Sequence, residues 1–341
     1  MPSLPEKINT VEELDELMSR PSPALIDYIK TLDGDIMVLG AAGKIGPSLT
    51  IMAKRAIDAA GIKKNLIAVT RTHAPRFNAA GIKTITCDLL DHDAVRKLPK
   101  VENIVFMAGR KFGTSGCEWL TWAHNCIIPY NVASAFTDAR IVAFSTGGVY
   151  PIVKVKAGGS RETDPPDPIG EYSMSCLGRE RIFDYFSAEK GEKVIHIRLN
   201  YALDLRYGVL VDIATKVFNS ETIDVTQGYF NGIWQGDVCD WVLRCFQYVS
   251  SPSAILNVSG HEILSIRAVA ETFGRLFGKK PIITGKENGL AYLSNASKAM
   301  QLFGKTTVGT EKLIQWTAHW VKIGGENLKK PTHFETQNGK Y

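Results

Sequence analysis

The sequence predicts an α/β protein built on a doubly wound parallel sheet with a smaller mixed C-terminal lobe. From Asp35 onward, short apolar runs alternate with helical patterns, and each run is continuously apolar. Strands of that kind are buried on both faces, as in a parallel sheet covered by helices. A chain of 341 residues is also long enough for a main domain with a second lobe.

Residues 1–33 are predicted to form a helical N-terminal extension. Thr10 and Glu13 have the spacing of a capping box, which indicates a helix over 11–19. A second short helix is expected over 23–31. Because apolar positions recur at helical spacing in this extension, we expect it to pack against the rest of the protein.

The main domain is predicted over residues 34–200. The expected strands are "DIMVLG", "NLIAVT", "IKTITCD", "NIVFMAG", "RIVAFST" and "KVIHIRLN", and the expected helices cover 44–60, 91–98, 117–137 and 170–190. The rest of the chain is assigned to a return to this domain (234–259), the smaller lobe (201–233 and 260–330) and an extended surface tail (331–341).

Composition argues against a membrane protein and against a nucleic-acid-binding protein. No run approaches the roughly 18 apolar residues of a membrane span, and the N-terminus lacks the apolar core of a signal peptide. We therefore expect a cytoplasmic protein without a membrane partner. The net charge of +5 comes from scattered pairs such as Lys63-Lys64, so no nucleic-acid partner is expected. The six cysteines show no C-x-x-C spacing, and no metal site is expected.

A glycine loop follows the first expected strand. Gly40, Gly43 and Gly46 would allow a tight turn, a close approach to a pyrophosphate and close packing of the next helix, in that order. The amides at the start of that helix would face the phosphates. The sequence therefore predicts a Rossmann-type dinucleotide-binding domain, and Lys44 and Ile45 within the loop are further candidate cofactor contacts.

The end of the second strand bears on the choice of cofactor. A site specific for NAD usually has an acidic residue here, but "IAVTRT" offers Thr70 and Arg71, with no carboxylate from 65 to 74. Arginine can pair with the 2′-phosphate of NADP. We therefore favour NADP over NAD. The alternative is that Arg71 stacks on the adenine or points to solvent.

Further short motifs follow in a fixed order. They are Cys87-Asp88-Leu89, Met107-Ala108-Gly109, Asn125, Ser145 and Thr146 within "FSTGGVYP", Tyr172, and Asn200 within "RLNYAL". Together with the glycine loop they resemble the extended short-chain dehydrogenase/reductase family, the NAD-dependent epimerases and dehydratases, from about Asp35 to about Gly260. The resemblance implies that the cofactor is contacted by Asp88, Leu89, Met107, Ala108, Gly109, Asn125 and Asn200.

The resemblance also implies the catalytic roles. Tyr172 would exchange a proton with the substrate oxygen, and Thr146, with Ser145 beside it, would hold that oxygen. In the family, a lysine one turn after the tyrosine supplies a positive charge, but this chain has Cys176 there, and a neutral thiol brings no charge. Arg179 returns to almost the same helix face as Tyr172, so it is the candidate electrostatic substitute.

These features predict an NAD(P)-dependent enzyme that oxidises, reduces or epimerises a carbinol carbon by hydride transfer. The resemblance implies a carbohydrate-like substrate (a sugar, sugar acid or sugar nucleotide), bound by the smaller lobe. It also implies a homodimer formed through the helices over 117–137 and 170–190. Because of Cys176, the alternative is a non-catalytic NAD(P)-binding protein that senses redox state or regulates a partner. In that case the Tyr172 hydroxyl would pack on Thr146.

Overall fold

A seven-stranded parallel sheet forms the centre of the protein in the computed structural model, which describes residues 4–111, 113, 115–330, 332–336 and 339. The strands are β1 (Ile36–Leu39), β2 (Leu66–Thr70), β3 (Lys83–Thr86), β4 (Asn103–Phe106), β5 (Arg140–Thr146), β6 (Val153–Lys154), β7 (Lys193–Leu199), β8 (Ala202–Leu203), β9 (Thr222–Asp224), β10 (Tyr229–Phe230), β11 (Ile233–Trp234), β12 (Ala254–Val258), β13 (Leu264–Ser265), β14 (Ile282–Thr284) and β15 (Leu290–Ala291).

The helices lie between these strands and on the lobe. They are α1 (Val11–Met18), α2 (Pro23–Thr31), α3 (Gly46–Ala60), α4 (Pro75–Ala79), α5 (His92–Arg96), α6 (Glu118–Trp122), α7 (Ile128–Ala135), α8 (Gly170–Lys190), α9 (Val209–Asn219), α10 (Gln235–Arg244), α11 (Ile266–Phe277), α12 (Ser297–Phe303) and α13 (Thr310–Lys322).

The order of the strands confirms the predicted fold class. The sheet runs β12-β7-β5-β4-β1-β2-β3, and every neighbouring pair is parallel. The chain winds outward in one direction from β1 to β3 and in the other from β4 to β12. In such a sheet, a crevice opens at the carboxyl ends of the strands where the winding reverses, here between β1 and β4.

Helices cover both faces of the sheet. One apolar core joins α2, α3 and α10 to one face, and a second core joins α5, α7 and α8 to the other. The inner strands are buried on both faces, as their apolar sequences predict. The edge strand β3 differs, because Lys83 and Thr86 are exposed at the open side of the sheet.

The smaller lobe has its own apolar core, formed by α1, α9, α11 and α13 with short two-stranded ladders. The N-terminal extension is divided between the two parts. Leu14 and Leu17 of α1 pack into the lobe core, whereas Leu25 and Ile29 of α2 pack under the sheet. The extension therefore ties the lobe to the main domain.

The C-terminal tail is docked onto the protein. Thr332 and Phe334 are buried, and the Thr332 amide and hydroxyl both donate to the Asp212 carboxylate, at 2.8 and 2.6 Å. The Gly339 backbone lies against Gly170, the first residue of α8. The prediction of an extended surface tail was therefore wrong for the described residues, since these polar and aromatic side chains are partnered on the lobe.

The helix expected over 117–137 is interrupted. A π-helical turn, Ala123–Ile127, separates α6 from α7. Pro129 disfavours a regular α-helical turn here, because proline has no N–H to donate and its ring crowds the carbonyl four residues earlier. The wider turn contains Asn125, which is fully buried.

Candidate active site

A cleft of about 1280 Å³ lies at the carboxyl ends of the central strands, between the sheet and the lobe. Twelve residues singled out in the sequence line it: Gly40, Gly43, Lys44, Ile45, Gly46, Arg71, Met107, Gly109, Ser145, Thr146, Tyr172 and Asn200. The other six lie outside its lining: Thr70, Asp88, Leu89, Ala108, Asn125 and Arg179. The fold therefore brings the glycine loop and the expected catalytic hydroxyls to one site.

The glycine loop has the shape that a dinucleotide needs. Gly40 has φ of +85°, and a Cβ there would lie 2.8 Å from the amide nitrogen of Ala108, so the turn and the close strand contact both require glycine. A Cβ on Gly46 would collide with the Ala41 carbonyl. At Gly43, by contrast, a Cβ would meet only the Gly40 oxygen, at 3.4 Å, and would otherwise fill the space in which a phosphate can approach the backbone.

The start of α3 also suits a phosphate. Ile45, at the N-cap position, has no polar side chain that could bond the first amides of the helix. Such amides, together with the helix dipole, favour an anion. The residues present therefore fit the pyrophosphate of a dinucleotide.

Two arginines lie in the cleft lining after β2. Arg71 is exposed and its Nη1 lies 3.5 Å from Nε2 of His124. Arg76 comes from the short helix α4, which the sequence pattern did not predict. Thr70 is buried and its hydroxyl donates to the Thr72 carbonyl at 2.7 Å, so it shapes this turn from within.

Asp88 and Leu89, which were expected to contact the cofactor, lie outside the cleft lining. The Asp88 carboxylate accepts from the Leu90 amide at 3.0 Å. The Leu89 side chain is buried in the core, and its carbonyl accepts from Asn131 at 3.0 Å. These contacts fix the loop after β3.

Asn125 and Arg179 form a buried hydrogen-bonded centre next to the cleft. The Asn125 oxygen accepts from the Arg110 amide at 2.9 Å and from Nη2 of Arg179 at 2.7 Å. Nη1 of Arg179 donates to the Phe144 carbonyl at 2.7 Å. The Arg179 guanidinium packs so closely on Gly109 that a Cβ there would overlap it. Arg179 thus links β5 to the π-helical turn and does not reach the cleft lining.

The two hydroxyls after β5 have different surroundings. Thr146 lines the cleft and its Oγ1 accepts from the Gly148 amide at 3.1 Å. The Ser145 hydroxyl donates to the buried carboxylate of Glu180 at 2.5 Å, and Glu180 pairs with Arg198 at 2.7 Å. Despite burial, the hydrogen bond from Arg198 holds the pKa of Glu180 below its usual range. Ser145 is thereby bound to an internal ion pair, whereas Thr146 faces the cleft.

Cys176 lies one turn below Tyr172, and its side chain is fully buried against Val149 and Tyr150. Burial raises the pKa of the Cys176 thiol, although the Arg179 charge and a hydrogen bond from Tyr172 act in the opposite direction. The thiol is therefore neutral near pH 7. It places no negative charge beside the tyrosine.

Sequence reasoning missed two lysines of the cleft. The Lys111 ammonium, in the loop after β4, lies over the Tyr172 ring at 5.7 Å from its centroid. Burial lowers the pKa of Lys111 to about 8. Lys330, directly before the C-terminal tail, also lines the cleft. No local spacing marks either residue, since each reaches the site through a long-range loop contact.

Lys44 bridges the glycine loop and the lobe. Its ammonium lies 3.3 Å from the centroid of the Tyr207 ring. Burial lowers the pKa of Lys44 to about 7, and the charges of Lys111 and Lys330 act in the same direction. The cleft therefore concentrates positive charge, which favours a ligand with several negative charges.

The described residues contain no helix of the length and apolar character that a membrane crossing needs. Among the same residues, no cluster of three or more His, Cys, Asp or Glu side chains has the arrangement of a metal site.

Residues 36–202 match the sequence model of the NAD dependent epimerase/dehydratase family. No curated protein matches the chain in sequence. A UDP-glucose 4-epimerase from Thermotoga maritima, solved with UDP-glucose, has a similar structure at 18% identity, with a TM-score of 0.68. That match covers 84% of this chain and 98% of that chain.

Two further solved structures share the architecture. A dTDP-glucose 4,6-dehydratase double mutant from Streptomyces venezuelae, with NAD bound, is 16% identical, with a TM-score of 0.69, over 84% of this chain and 97% of that chain. The NAD complex of a UDP-glucose 4-epimerase from Thermus thermophilus is 21% identical, with a TM-score of 0.66, over 83% and 97% of the two chains. At these identities the likeness shows a common fold.

Proposed function

The chain belongs to the NAD dependent epimerase/dehydratase family through residues 36–202, and we propose that it oxidises, reduces or epimerises a carbinol carbon of a carbohydrate-like substrate. The observation that carries this proposal is that Tyr172 and Thr146 line the same cleft as the glycine loop. One site thus combines a proton donor, an oxygen ligand and a phosphate cradle.

Each residue has a role in this proposal. When bound, NAD(P) supplies the acceptor or donor of the hydride at the carbinol carbon. The Tyr172 hydroxyl takes the carbinol proton during oxidation and returns it during reduction. The Thr146 hydroxyl donates a hydrogen bond to the same substrate oxygen and so fixes its position. Asn200, bonded to Asn231 at 2.8 Å, joins the main domain to the lobe at the substrate side of the cleft.

We favour NADP as the cofactor. Arg71 and Arg76 both line the end of the cleft after β2, and the segment from 65 to 74 holds no carboxylate. Two guanidinium groups can bind a 2′-phosphate with paired hydrogen bonds. Two of the similar solved structures described above contain NAD, so the preference rests on these two arginines.

We infer that the substrate carries a negative charge. Lys44 and Lys330 lie in the cleft lining together with Tyr207 of the lobe. A sugar acid or a sugar nucleotide would meet these ammonium groups with a carboxylate or a phosphate. The epimerase from Thermotoga maritima, solved with UDP-glucose, is consistent with the second class.

The second candidate function is nucleotide binding without turnover. It is favoured by Cys176, which stands where the family has lysine and carries a neutral buried thiol. Such a protein would bind the dinucleotide through the glycine loop and use the lobe to contact a partner.

We also propose a homodimer. Of the ten large apolar side chains with high exposure in the described part of the chain, six lie on α6, the π-helical turn, α7 and α8. They are Trp119, Trp122, Ile127, Tyr130, Met174 and Tyr185. We call these six residues the helical patch. A group of six exposed apolar and aromatic side chains on neighbouring helices is typical of a protein interface.

The test combines nucleotide uptake with turnover. The purified protein is titrated with NADP and NAD in a calorimeter, and sugars, sugar acids and sugar nucleotides are then screened by nicotinamide absorbance and product analysis. We expect uptake, turnover of an anionic substrate, and loss of turnover with retained uptake in Tyr172→Phe. Uptake without turnover across the panel would support the second candidate. Absence of uptake of either nucleotide would refute both.

A further inference from the structure

The loop after β4 carries a lysine, Lys111, close to the tyrosine whose helix lacks the family lysine. We propose that Lys111 supplies, across the ring of Tyr172, the positive charge that position 176 lacks in this chain. The proposal rests on the proposed function, because it assigns a positioning residue to the same reaction. Lys111 would act through Tyr172 by favouring its phenolate form whenever the hydroxyl takes up or releases a proton.

The position of Lys111 is fixed by its neighbour. Both the amide and the carbonyl of Arg110 are bonded by the Asn125 side chain, at 2.9 and 3.1 Å. Asn125 also donates to Ser175 of α8 at 2.9 Å. The backbone next to Lys111 is thus clamped to the helix that carries Tyr172, and the ammonium arrives over the tyrosine ring at 5.7 Å from its centroid.

A cation at this distance from the ring has a direct effect. A charge within about 6 Å of a titrating group favours its oppositely charged form, and a cation over an aromatic face is attracted to it. The Cys176 thiol beside the tyrosine is uncharged, so it does not cancel the positive charge of the Lys111 ammonium. In the family pattern, the lysine and the tyrosine share one helix. Here the charge comes from a different segment of the chain.

Two other cations of this part of the protein, Arg179 and Lys44, contact other groups. Arg179 is buried, with its two terminal nitrogens bonded to Asn125 and to the Phe144 carbonyl. The Lys44 ammonium lies on the Tyr207 ring, on the lobe side of the cleft. Lys111 is therefore the described cation whose ammonium is placed over the Tyr172 ring.

The charge of Lys111 depends on pH. The groups that face it are Tyr172 and Cys176 of α8, Asp212 of α9 and Lys44 of the glycine loop. Burial lowers its pKa to about 8, against the opposing influence of Cys176 and Asp212. Lys111 is therefore charged at pH 7. A phenolate at Tyr172 would in turn stabilise the ammonium at higher pH, because two interacting groups titrate as a coupled pair.

The decisive measurement needs neither cofactor nor substrate. An ultraviolet difference titration of the wild type against Tyr172→Phe isolates the ionisation of this one phenol among 11 tyrosines. The same subtraction is made in Lys111→Gln, Lys111→Met and Lys111→Arg backgrounds. The two neutral variants are expected to raise the titration midpoint by about one pH unit or more, and arginine by much less. Lys156→Gln, which removes an exposed charge outside the cleft lining, is the control. An unchanged midpoint in both neutral variants would overturn the proposal.

Turnover provides the second readout. With a substrate from the screen, Lys111→Gln is expected to lower kcat by about 100-fold or more and KM much less, while Lys111→Arg keeps most of the rate. Adding Cys176→Lys to Lys111→Gln restores the family arrangement, and partial recovery of kcat would support the assignment. If the wild type turns over and both neutral variants match it, the proposal fails. If the wild type itself has no substrate, the proposed function fails, and the titration still decides the role of Lys111.

Discussion

Glu192, in the turn between α8 and β7, is a buried acid without a cationic partner among the described residues. Its side chain is 1% exposed, and its two carboxyl oxygens accept no hydrogen bond from the described protein atoms. Burial, assisted by the charge of Asp138, raises the pKa of the Glu192 carboxyl to about 8. The folded protein therefore holds a proton at Glu192 at pH 7 that the unfolded chain releases.

This buried carboxyl predicts a pH-dependent gain in stability for Glu192→Gln. Because the folded pKa lies above the unfolded value near 4.5, the folded state loses stability as the pH rises from about 4.5 to 8. Glutamine stays neutral and avoids this loss. We expect the Tm of Glu192→Gln to exceed that of the wild type increasingly between pH 5 and 8, as measured by scanning calorimetry. Glu189→Gln, at an exposed position of α8, is the control with the same change of charge. A constant Tm difference over this range would contradict the prediction.

Sequence motifs located the residues whose roles depend on their immediate neighbours. Gly40, Gly46, Thr146 and Tyr172 could be found because the spacing of a turn, a strand end or a helix start is local. The same reasoning placed Arg179 on the helix face of Tyr172. It could not foresee that the guanidinium donates hydrogen bonds to Asn125 and to the Phe144 carbonyl. These bonds hold it outside the cleft lining.

At the scale of elements, the π-helical turn between α6 and α7 links the site to the core. It brings Asn125 to the point where the loop after β4 meets α8, and there this one amide makes hydrogen bonds with Arg110, Arg179 and Ser175. A regular helix was expected here. The effect of Pro129 on the preceding turn could be anticipated from its chemistry, but the choice of a π-helical turn depends on these distant partners.

The contacts of the π-helical turn predict that two asparagine substitutions lower the free energy of unfolding by different amounts. Asn125 and Asn131 are both buried, but only Asn125 accepts from a charged group, Arg179. Asn131 donates to two backbone carbonyls. Asn131→Ala should lower the free energy of unfolding by about 1–3 kcal/mol, and Asn125→Ala by a larger amount, because a buried guanidinium loses its acceptor. Urea unfolding measures both. Equal losses would show that Arg179 finds another partner.

At the scale of the whole molecule, the cleft is lined by residues of both the lobe and the main domain, and these residues come from several segments of the chain. The glycine loop, the loop after β4, α8 and the tail all contribute to its lining. The fold class followed from the order of apolar runs, whereas Arg76, Lys111 and Lys330 could not be assigned to the site in advance. Their positions depend on how loops distant in sequence come together, which short-range patterns do not encode.

The helical patch predicts the effect of a charge on assembly. Ile127 in the patch and Ile323 at the end of α13 are 49% and 46% exposed, so they form a matched pair. Ile127→Glu should convert a dimer into a monomer, because an interface that buries an unpaired carboxylate is strongly destabilised. Ile323→Glu should leave the dimer intact. Light scattering after size-exclusion chromatography gives the mass. A monomeric wild type, or a dimeric Ile127→Glu, would refute the proposed interface.

The division of the N-terminal extension between two cores matters for gene cloning. The stretch that matches the family begins at residue 36, after α1 and α2 have ended. A gene shortened to that boundary would omit Leu14 and Leu17 from the lobe and Leu25 and Ile29 from beneath the sheet. The shortened protein would expose the apolar surfaces that these four residues cover. Exposed apolar surfaces of this kind promote aggregation, so we expect it to form inclusion bodies.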